Sequence, residues 1–326
     1  MPEDHLYRYL EIPKGVPIEL KSSPGKGWGA FATKRIKQET LVLTENPLFV
    51  IRRPMAEITE EVMIAHYRRL SDHQKSQFLL LSAEDAMSKV FFHITRGPNE
   101  PETWGVFILQ SRFNHSCAPN SKTPPTGTDV VARFAIREIA KGEEITACYD
   151  PDARFRTMKE RHKFLGWICS CSVCRSDPLS QQLSDMRRRL IRGLHYLLMG
   201  SDIDGQRQSG RSPIIMDPKL KDEAETFNIP LSSILFYEVL TMFLLEEEGL
   251  MDYFVLDFLL PILNKTAKMF KSERNSRIAQ FIVKRNTALE RLQVGFRFYG
   301  QKDATDPYVT ELVEALPLFW PSSRLS

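Results

Sequence analysis

Three cysteines within six residues give the strongest chemical signal in this 326-residue sequence. Cys169, Cys171 and Cys174 follow a Cys-x-Cys-x-x-Cys spacing, and three thiolates at that spacing can wrap one tetrahedral zinc ion. Zinc needs a fourth ligand, and Cys117 is the candidate because Cys148 lies inside an apparent strand. Three buried or loose thiols are the alternative, but exposed thiols in one loop oxidise readily. The odd, clustered cysteines favour a metal in a reducing compartment over a secreted disulfide framework.

Three further segments carry polar or glycine-rich patterns that are weak when taken singly. The segment 114–120, Asn-His-Ser-Cys-Ala-Pro-Asn, would pair Ser with His for hydrolysis only beside an acid and an oxyanion hole, and no Gly-x-Ser-x-Gly elbow occurs. The segment 141–150 reads as a turn followed by a strand that ends in Tyr149, by default a packed aromatic. The glycines of 25–31 allow a ligand to approach backbone N–H groups but usually mark a turn.

Together, and in this order, the four segments resemble the SET domain of protein lysine methyltransferases. Gly27-Trp28-Gly29 resembles its N-terminal glycine motif, 114–120 its Asn-His-Ser-Cys-x-Pro-Asn motif, 142–149 its Gly-Glu-Glu-(Leu/Ile)-Thr-x-x-Tyr motif, and 169–174 its post-SET zinc cluster. The pattern is closest to the SET-and-MYND family. In that family Asn-His-Ser-Cys supplies the fourth zinc ligand, and a helical C-terminal domain narrows the substrate cleft. The resemblance covers about residues 15 to 175.

The sequence departs from that family in three places. No cysteine precedes Cys117, so the MYND zinc module is absent. The segment 91–94, Phe-Phe-His-Ile, lacks the asparagine expected to contact the cofactor. Leu165, four residues before Cys169, stands where a tyrosine often lines the lysine channel, which leaves the degree of methylation open.

The resemblance implies an S-adenosylmethionine-dependent protein-lysine N-methyltransferase that acts on a histone or non-histone protein and releases S-adenosylhomocysteine. It implies one structural zinc held by Cys117, Cys169, Cys171 and Cys174. Tyr149 would orient the reacting groups, and Trp167 would cover the adenine. The residues expected around the cofactor are Lys26, Gly27, Trp28, Asn114, His115, Tyr149 and Trp167. A substrate lysine must lose its proton before transfer, and a narrow apolar channel lowers its pKa.

Two alternatives from other functional classes remain open. One is a catalytically weak or inactive SET fold that serves as a protein-binding module, because a fold does not fix a function. The other is a zinc-stabilised scaffold whose helical C-terminal domain binds a partner. Binding of S-adenosylmethionine and labelling of a lysine would separate an enzyme from both.

The elements that must position these residues predict an α+β fold with a β-rich, knot-like SET core. We expect parts of the SET domain at 1–55 and 104–150, separated by a helical insert at 56–103 with helix caps at Thr59 and Ser71. Residues 22–29 read as a loop, and Cys148 is expected to be buried on the strand face opposite Tyr149. A post-SET zinc segment at 151–177 precedes an all-α C-terminal domain at 178–326.

Composition and charge exclude few functions. The net charge of +3 is too small to argue for nucleic acid, and the arginines at 187, 188, 189 and 192 read as a solvated helix face. The apolar stretch 234–245 is too short and too polar to span a bilayer, and 1–15 lacks the apolar core of a signal peptide. We therefore expect a monomeric protein of the nucleus or cytoplasm that binds a protein substrate and contacts neither nucleic acid nor membrane directly.

Overall fold

The computed structural model describes residues 6–81, 91–93, 102–199, 202–203 and 233–255. The chain divides into two compact units, Met1–Tyr149 and Asp150–Ser326, and each is described by itself.

The described part of the first unit consists of ten short strands and two helices. The strands pair as four small sheets, in the orders β1-β2, β3-β9-β8, β4-β6-β5 and β10-β7. Their bounds are β1 Ile18–Ser23, β2 Gly27–Ala32, β3 Leu41–Glu45, β4 Phe49–Arg52, β5 Phe91–His93, β6 Thr103–Val106, β7 Asn114–His115, β8 Ser121–Lys122, β9 Val131–Ala135 and β10 Thr146–Ala147. The helices are α1 Glu60–Arg68 and α2 Asp72–Leu81.

One pairing brings two distant sequence motifs side by side. β7 and β10 run parallel, with Asn114 beside Thr146 and His115 beside Ala147. All other strand pairs are antiparallel, including the hairpin of β1 and β2. That hairpin corrects the loop expected at 22–29, because β1 runs to Ser23 and β2 resumes at Gly27.

Alternation along the strands buries apolar side chains in a main hydrophobic core of the first unit. In β9, for example, every second side chain is buried, as a half-buried strand requires. The core includes Ala30, Val42, Leu43, Ile51, Val106, Phe113, Ile139 and Ile145, all nearly inaccessible to solvent. The motif-bearing strands therefore rest on a packed interior.

The helices of the predicted insert begin at the expected caps. The Thr59 side chain accepts a hydrogen bond from the Val62 N–H at 3.4 Å, and the Ser71 hydroxyl accepts one from the Gln74 N–H at 3.2 Å. The strand β5 at Phe91–His93 was not anticipated, and it pairs with β6. Residues 82–90 and 94–101 of the predicted insert lie outside the described residues.

The second unit is helical wherever it has regular structure among its described residues. α3 spans Met158–Leu165 and begins at a capping box formed by Thr157 and Glu160. α4 spans Pro178–Met199 and packs against α5, Ser233–Glu247. Buried residues on these two helices include Leu190, Ile191, Leu194, Tyr237, Leu240 and Leu244. Residues 256–326 of the predicted all-α domain lie outside the described residues. No described helix is long and apolar enough to cross a membrane.

The arginine run on α4 corrects the interpretation as a solvated helix face. Arg188 is fully buried, and its guanidinium donates to Glu248 Oε2 at 2.8 Å and to the Ala153 carbonyl at 2.6 Å. Arg187 donates to Glu248 Oε1 at 2.5 Å, and Arg192 pairs with a buried aspartate at 202. The residue pattern of α4 alone did not reveal the buried Glu248 carboxylate, which lies one residue beyond α5 and holds these charges inside. Among the four, only Arg189 is exposed.

Candidate active site and metal centre

Lys26, Glu144 and Asn114 meet at the edge of the first unit's core. Lys26 Nζ donates to Glu144 Oε2 at 2.9 Å. Asn114 Nδ2 donates to Glu144 Oε1 at 2.8 Å and to the Trp28 carbonyl at 3.1 Å. The turn between β1 and β2 is thereby fastened to the end of β7, and three segments far apart in sequence share one cluster.

Close approach at this cluster explains the second glycine of the glycine motif. A Cβ at Gly29 would lie 2.6 Å from Asn114 Nδ2 and 2.6 Å from Glu144 Oε1. Any side chain there would displace both polar groups, so glycine at this position in β2 allows Asn114 and Glu144 to meet. The glycine motif thus serves the packing of Asn114 as well as the turn.

His115 links Tyr149 to Cys117. The Tyr149 N–H donates to His115 Nδ1 at 3.0 Å, and the two rings lie 5.3 Å apart between centroids. Since Nδ1 accepts, a neutral imidazole carries its hydrogen on Nε2, which lies 3.3 Å from Cys117 Sγ. The buried His115 ring therefore sets the backbone of Tyr149 and faces a cysteine of the metal cluster.

The phenol of Tyr149 is oriented by the main chain. Its hydroxyl donates to the Phe113 carbonyl at 2.9 Å, and its ring packs against the hydrophobic core. With that proton engaged, the phenol oxygen can accept a hydrogen bond from another group. This geometry suits an orienting acceptor better than a proton-abstracting base.

A buried arginine that the sequence did not reveal, Arg133, interacts electrostatically with Tyr149. The Arg133 guanidinium donates to Gln110 Oε1 at 2.8 Å and Ser121 Oγ at 3.0 Å, and it lies 4.2 Å from the centroid of the Phe113 ring. Burial lowers the pKa of Arg133 to about 9, although Tyr149 and a nearby carboxylate oppose that shift, so it stays charged at neutral pH. Alternation in β9 could have placed it on the core face.

The nearby carboxylate, Glu45 at the end of β3, holds the segment that leads to β7. Its two oxygens accept N–H hydrogen bonds from Ile108, Leu109 and Gln110 at 2.7, 2.9 and 2.8 Å. Burial raises the pKa of Glu45, and these hydrogen bonds oppose the rise. The Glu45 side chain therefore fixes the backbone of the segment that leads to Phe113.

The four predicted zinc ligands come together. The Sγ atoms of Cys117, Cys169, Cys171 and Cys174 all lie within 4.8 Å of one another, and all four residues are buried. A tetrahedral ion with Zn–S bonds near 2.3 Å needs sulfurs about 3.8 Å apart, so the donor set fits zinc. Cys148 is not part of this cluster, but it is exposed and not buried as predicted, because β10 ends at Ala147.

Hydrogen-bond donors surround the cysteine sulfurs. The Cys171 N–H lies 3.4 Å from Cys169 Sγ, and Arg161 Nη2 lies 3.7 Å from Cys174 Sγ. Arg161 belongs to α3 and is almost wholly buried. Donors of this kind stabilise thiolates and orient metal ligands.

Trp167 and Leu165 both lie in the second unit. Trp167 lies after the αL residue Gly166 that ends α3, and 40% of its side chain is exposed. Its role in covering the adenine stays a prediction. Leu165, at the expected position of a channel tyrosine, is the last residue of α3.

Comparison with known proteins agrees with this arrangement. Residues 27–150 match the SET domain family. The histone-lysine N-methyltransferase set5 of Schizosaccharomyces pombe is 33% identical over 190 residues, which make up 56% of either chain. The mouse protein-lysine N-methyltransferase SMYD4 is 39% identical over 79 residues, 23% of this chain and 10% of SMYD4. The human protein-lysine N-trimethyltransferase SMYD5 is 41% identical over 76 residues, 22% of this chain and 18% of SMYD5.

These matches differ in extent. The chain spans about half the length of the fission yeast protein and a smaller part of the two mammalian proteins. The matched family region begins at the glycine motif and ends one residue after Tyr149. The chain therefore contains a SET domain and is related in sequence to the SET5 and SMYD protein-lysine methyltransferases.

Proposed function

We propose that the protein is an S-adenosylmethionine-dependent protein-lysine N-methyltransferase with one structural zinc ion. The observation that carries the proposal is the meeting of the Lys26 turn, Asn114, His115 and Tyr149 in one cluster of the first unit. The related histone-lysine and protein-lysine methyltransferases suggest the substrate class, a lysine side chain of a protein.

The chemistry of Asn114 fits an amino-acid ligand. Both hydrogens of its amide are engaged, one by Trp28 O and one by Glu144 Oε1. Within the described residues nothing donates to Asn114 Oδ1, so this half-buried amide offers a ligand an acceptor and no donor. The α-ammonium of S-adenosylmethionine is a donor of that kind.

Tyr149 would orient the attacking amine. S-adenosylmethionine, when bound, supplies a methyl group on a positively charged sulfur. The lysine must arrive as a neutral amine, its proton passing to solvent, because an ammonium has no lone pair. The phenol oxygen of Tyr149 would accept an N–H of that amine and aim its lone pair at the methyl carbon. Alignment of this kind can contribute a large part of the rate.

Zinc would be structural. Cys117, Cys169, Cys171 and Cys174 fill all four positions of a tetrahedral ion, so none is left for water or substrate. The ion would fix the segment that carries Trp167. In this proposal, Trp167 covers the adenine of the cofactor.

A histone is the first substrate to test, because one relative is named a histone-lysine methyltransferase. A histone or other intracellular protein substrate would place the chain in the nucleus or the cytoplasm. The competing function is a SET-fold binding module that has lost catalysis.

The test is transfer of label from isotopically labelled S-adenosylmethionine to core histones and to a cell lysate. We expect labelled protein with the wild type and strongly reduced label with Asn114→Ala. Tyr9→Phe, at an exposed tyrosine, is the matched control and should keep full labelling. Binding of S-adenosylmethionine without transfer of label to protein would support the binding module instead of the enzyme. Neither binding nor transfer would contradict the proposal.

A further inference from the structure

We infer that Glu144 is a positioning residue that fixes the side-chain amide of Asn114 with its carbonyl oxygen directed to a ligand. The inference deepens the proposed function and rests on it, because the ligand is the ammonium end of S-adenosylmethionine. Glu144 itself does not contact the cofactor in this account.

The amide of Asn114 has only one favourable orientation. Its Nδ2 lies 2.8 Å from Glu144 Oε1 and 3.1 Å from Trp28 O, and both of these atoms are acceptors. Rotating the amide by half a turn would place Oδ1 against two acceptor oxygens and lose two hydrogen bonds. Trp28 O engages only one of the two amide hydrogens, and the Glu144 carboxylate supplies the second, charged acceptor that favours this orientation.

Glu144 can impose this orientation because it is itself held on several sides. Lys26 Nζ donates to its second carboxylate oxygen at 2.9 Å, and Asn120 Nδ2 donates to its backbone carbonyl at 2.8 Å. Its side chain is 16% exposed. Burial raises the pKa of Glu144, but hydrogen bonds from Asn114, Lys26 and Ser23 outweigh burial and hold that pKa below its ordinary value. The acceptor is therefore charged at neutral pH.

The same ion pair redefines the role of Lys26. Its ammonium is engaged by Glu144, with side-chain exposures of 20% and 16% for the two partners. Lys26 therefore acts on a ligand through its backbone in the β1–β2 turn and supports Glu144 through its charge. Lys26→Met should weaken binding less than loss of Glu144.

The adjacent Glu143 provides a matched control. It pairs with Arg137 Nη2 at 2.6 Å and accepts from the Ala140 N–H at 2.9 Å. It also accepts from Asn120, but it makes no contact with Asn114. Glu143→Ala removes the same carboxylate one residue earlier and leaves the Asn114 amide alone.

The test is a double-mutant cycle on the dissociation constant for S-adenosylhomocysteine, measured by calorimetry. Glu144→Ala and Asn114→Ala should each weaken binding about tenfold or more, the effect of losing a hydrogen bond to a charged group. The double variant should bind no more weakly than Asn114→Ala alone, because Glu144 acts through Asn114. Glu144→Gln, which can still present an acceptor oxygen, should restore part of the affinity.

Additive losses in the cycle, or wild-type affinity in Glu144→Ala, would overturn the inference. A second readout needs no ligand: hydrogen exchange of the Asn114 side-chain amide by nitrogen-15 NMR. That exchange should accelerate in Glu144→Ala and stay unchanged in Glu143→Ala, and equal rates in the two variants would also overturn it. A wild-type protein that does not bind S-adenosylhomocysteine would contradict the proposed function, whereas binding with an additive cycle would remove only the role of Glu144.

Discussion

Single side chains in the first unit are committed by their hydrogen bonds to one chemical role. Asn114 donates both hydrogens of its amide to Trp28 O and Glu144 Oε1, which leaves its carbonyl oxygen as an acceptor. Tyr149 donates its hydroxyl proton to Phe113 O, so its oxygen acts on other groups as an acceptor. His115 is fixed as the tautomer with hydrogen on Nε2 by the Tyr149 N–H. These hydrogen bonds join residues that lie 30 to 86 positions apart in the sequence, so no local pattern predicts them.

Replacement of Tyr149 by Phe tests the orienting role. The ring and its packing remain while the hydroxyl is lost, so turnover should fall roughly ten- to hundredfold, or the number of methyl groups added should change. Steady-state rates and mass spectrometry of the product measure both. An unchanged melting temperature is expected as well, and unaltered turnover with unaltered product would assign the role to another tyrosine.

The Glu144 ion pair predicts a pH dependence of stability. The folded-state pKa of Glu144 lies below its ordinary value of 4.5, so the charged form stabilises the fold. That contribution is complete above the unfolded pKa and is lost as the pH falls through the lower folded pKa. The wild type should melt above Glu144→Gln near pH 7, and the difference should shrink as the pH falls below 4.5 and vanish below the folded-state pKa. A difference that persists there would contradict the assignment.

Short elements position the site in ways that local patterns only partly predict. The caps predicted at Thr59 and Ser71 located the starts of both insert helices, because a side-chain oxygen at the N-cap accepts a hydrogen bond from the first turn. The sequence did not predict two buried arginines. The pattern around Arg188 predicts a solvated helix face, and no pattern singled out Arg133. A charged residue is buried only when distant partners neutralise it, and the sequence does not reveal which partners those are.

The junction of α4 and α5 should be sensitive to its buried carboxylate. Glu248→Ala removes the partner of Arg187 and of the fully buried Arg188. Leaving a buried charge uncompensated costs about 3–5 kcal/mol, so the free energy of unfolding should fall by that order. Chemical denaturation measures it, with the exposed Glu247→Ala as control. Equal effects of the two variants would mean that the ion pair adds nothing.

The zinc segment should depend on each cysteine. Cys171→Ser removes one of four thiolates and should lower zinc content and weaken retention against a chelator, because a three-thiolate site is incomplete. Elemental analysis of purified protein measures this. The control is Ser172→Ala, at the exposed residue next to Cys171, which should keep one zinc per chain. Full zinc in the Cys171 variant would remove the four-cysteine assignment.

The molecule as a whole was predictable where independent motifs agree in order. Four motifs located the SET domain and the four clustered cysteines. The spacing of Cys169, Cys171 and Cys174 was informative because three thiolates at that spacing can bind one metal ion. The burial of Cys148 was predicted wrongly, because β10 ends at Ala147 and Cys148 is the first residue after it. The C-terminal domain is helical at 178–199 and 233–247, and its prediction from 256 onward stays open.

Methyl transfer to a lysine nitrogen is detected by tandem mass spectrometry, which locates the methyl groups on the labelled product. Wild-type protein, S-adenosylmethionine and the labelled substrate should yield methyl groups on a lysine Nζ, and Asn114→Ala should yield few or none. Methyl groups found only on other side chains, or the same lysine methylated equally by Asn114→Ala, would contradict the account.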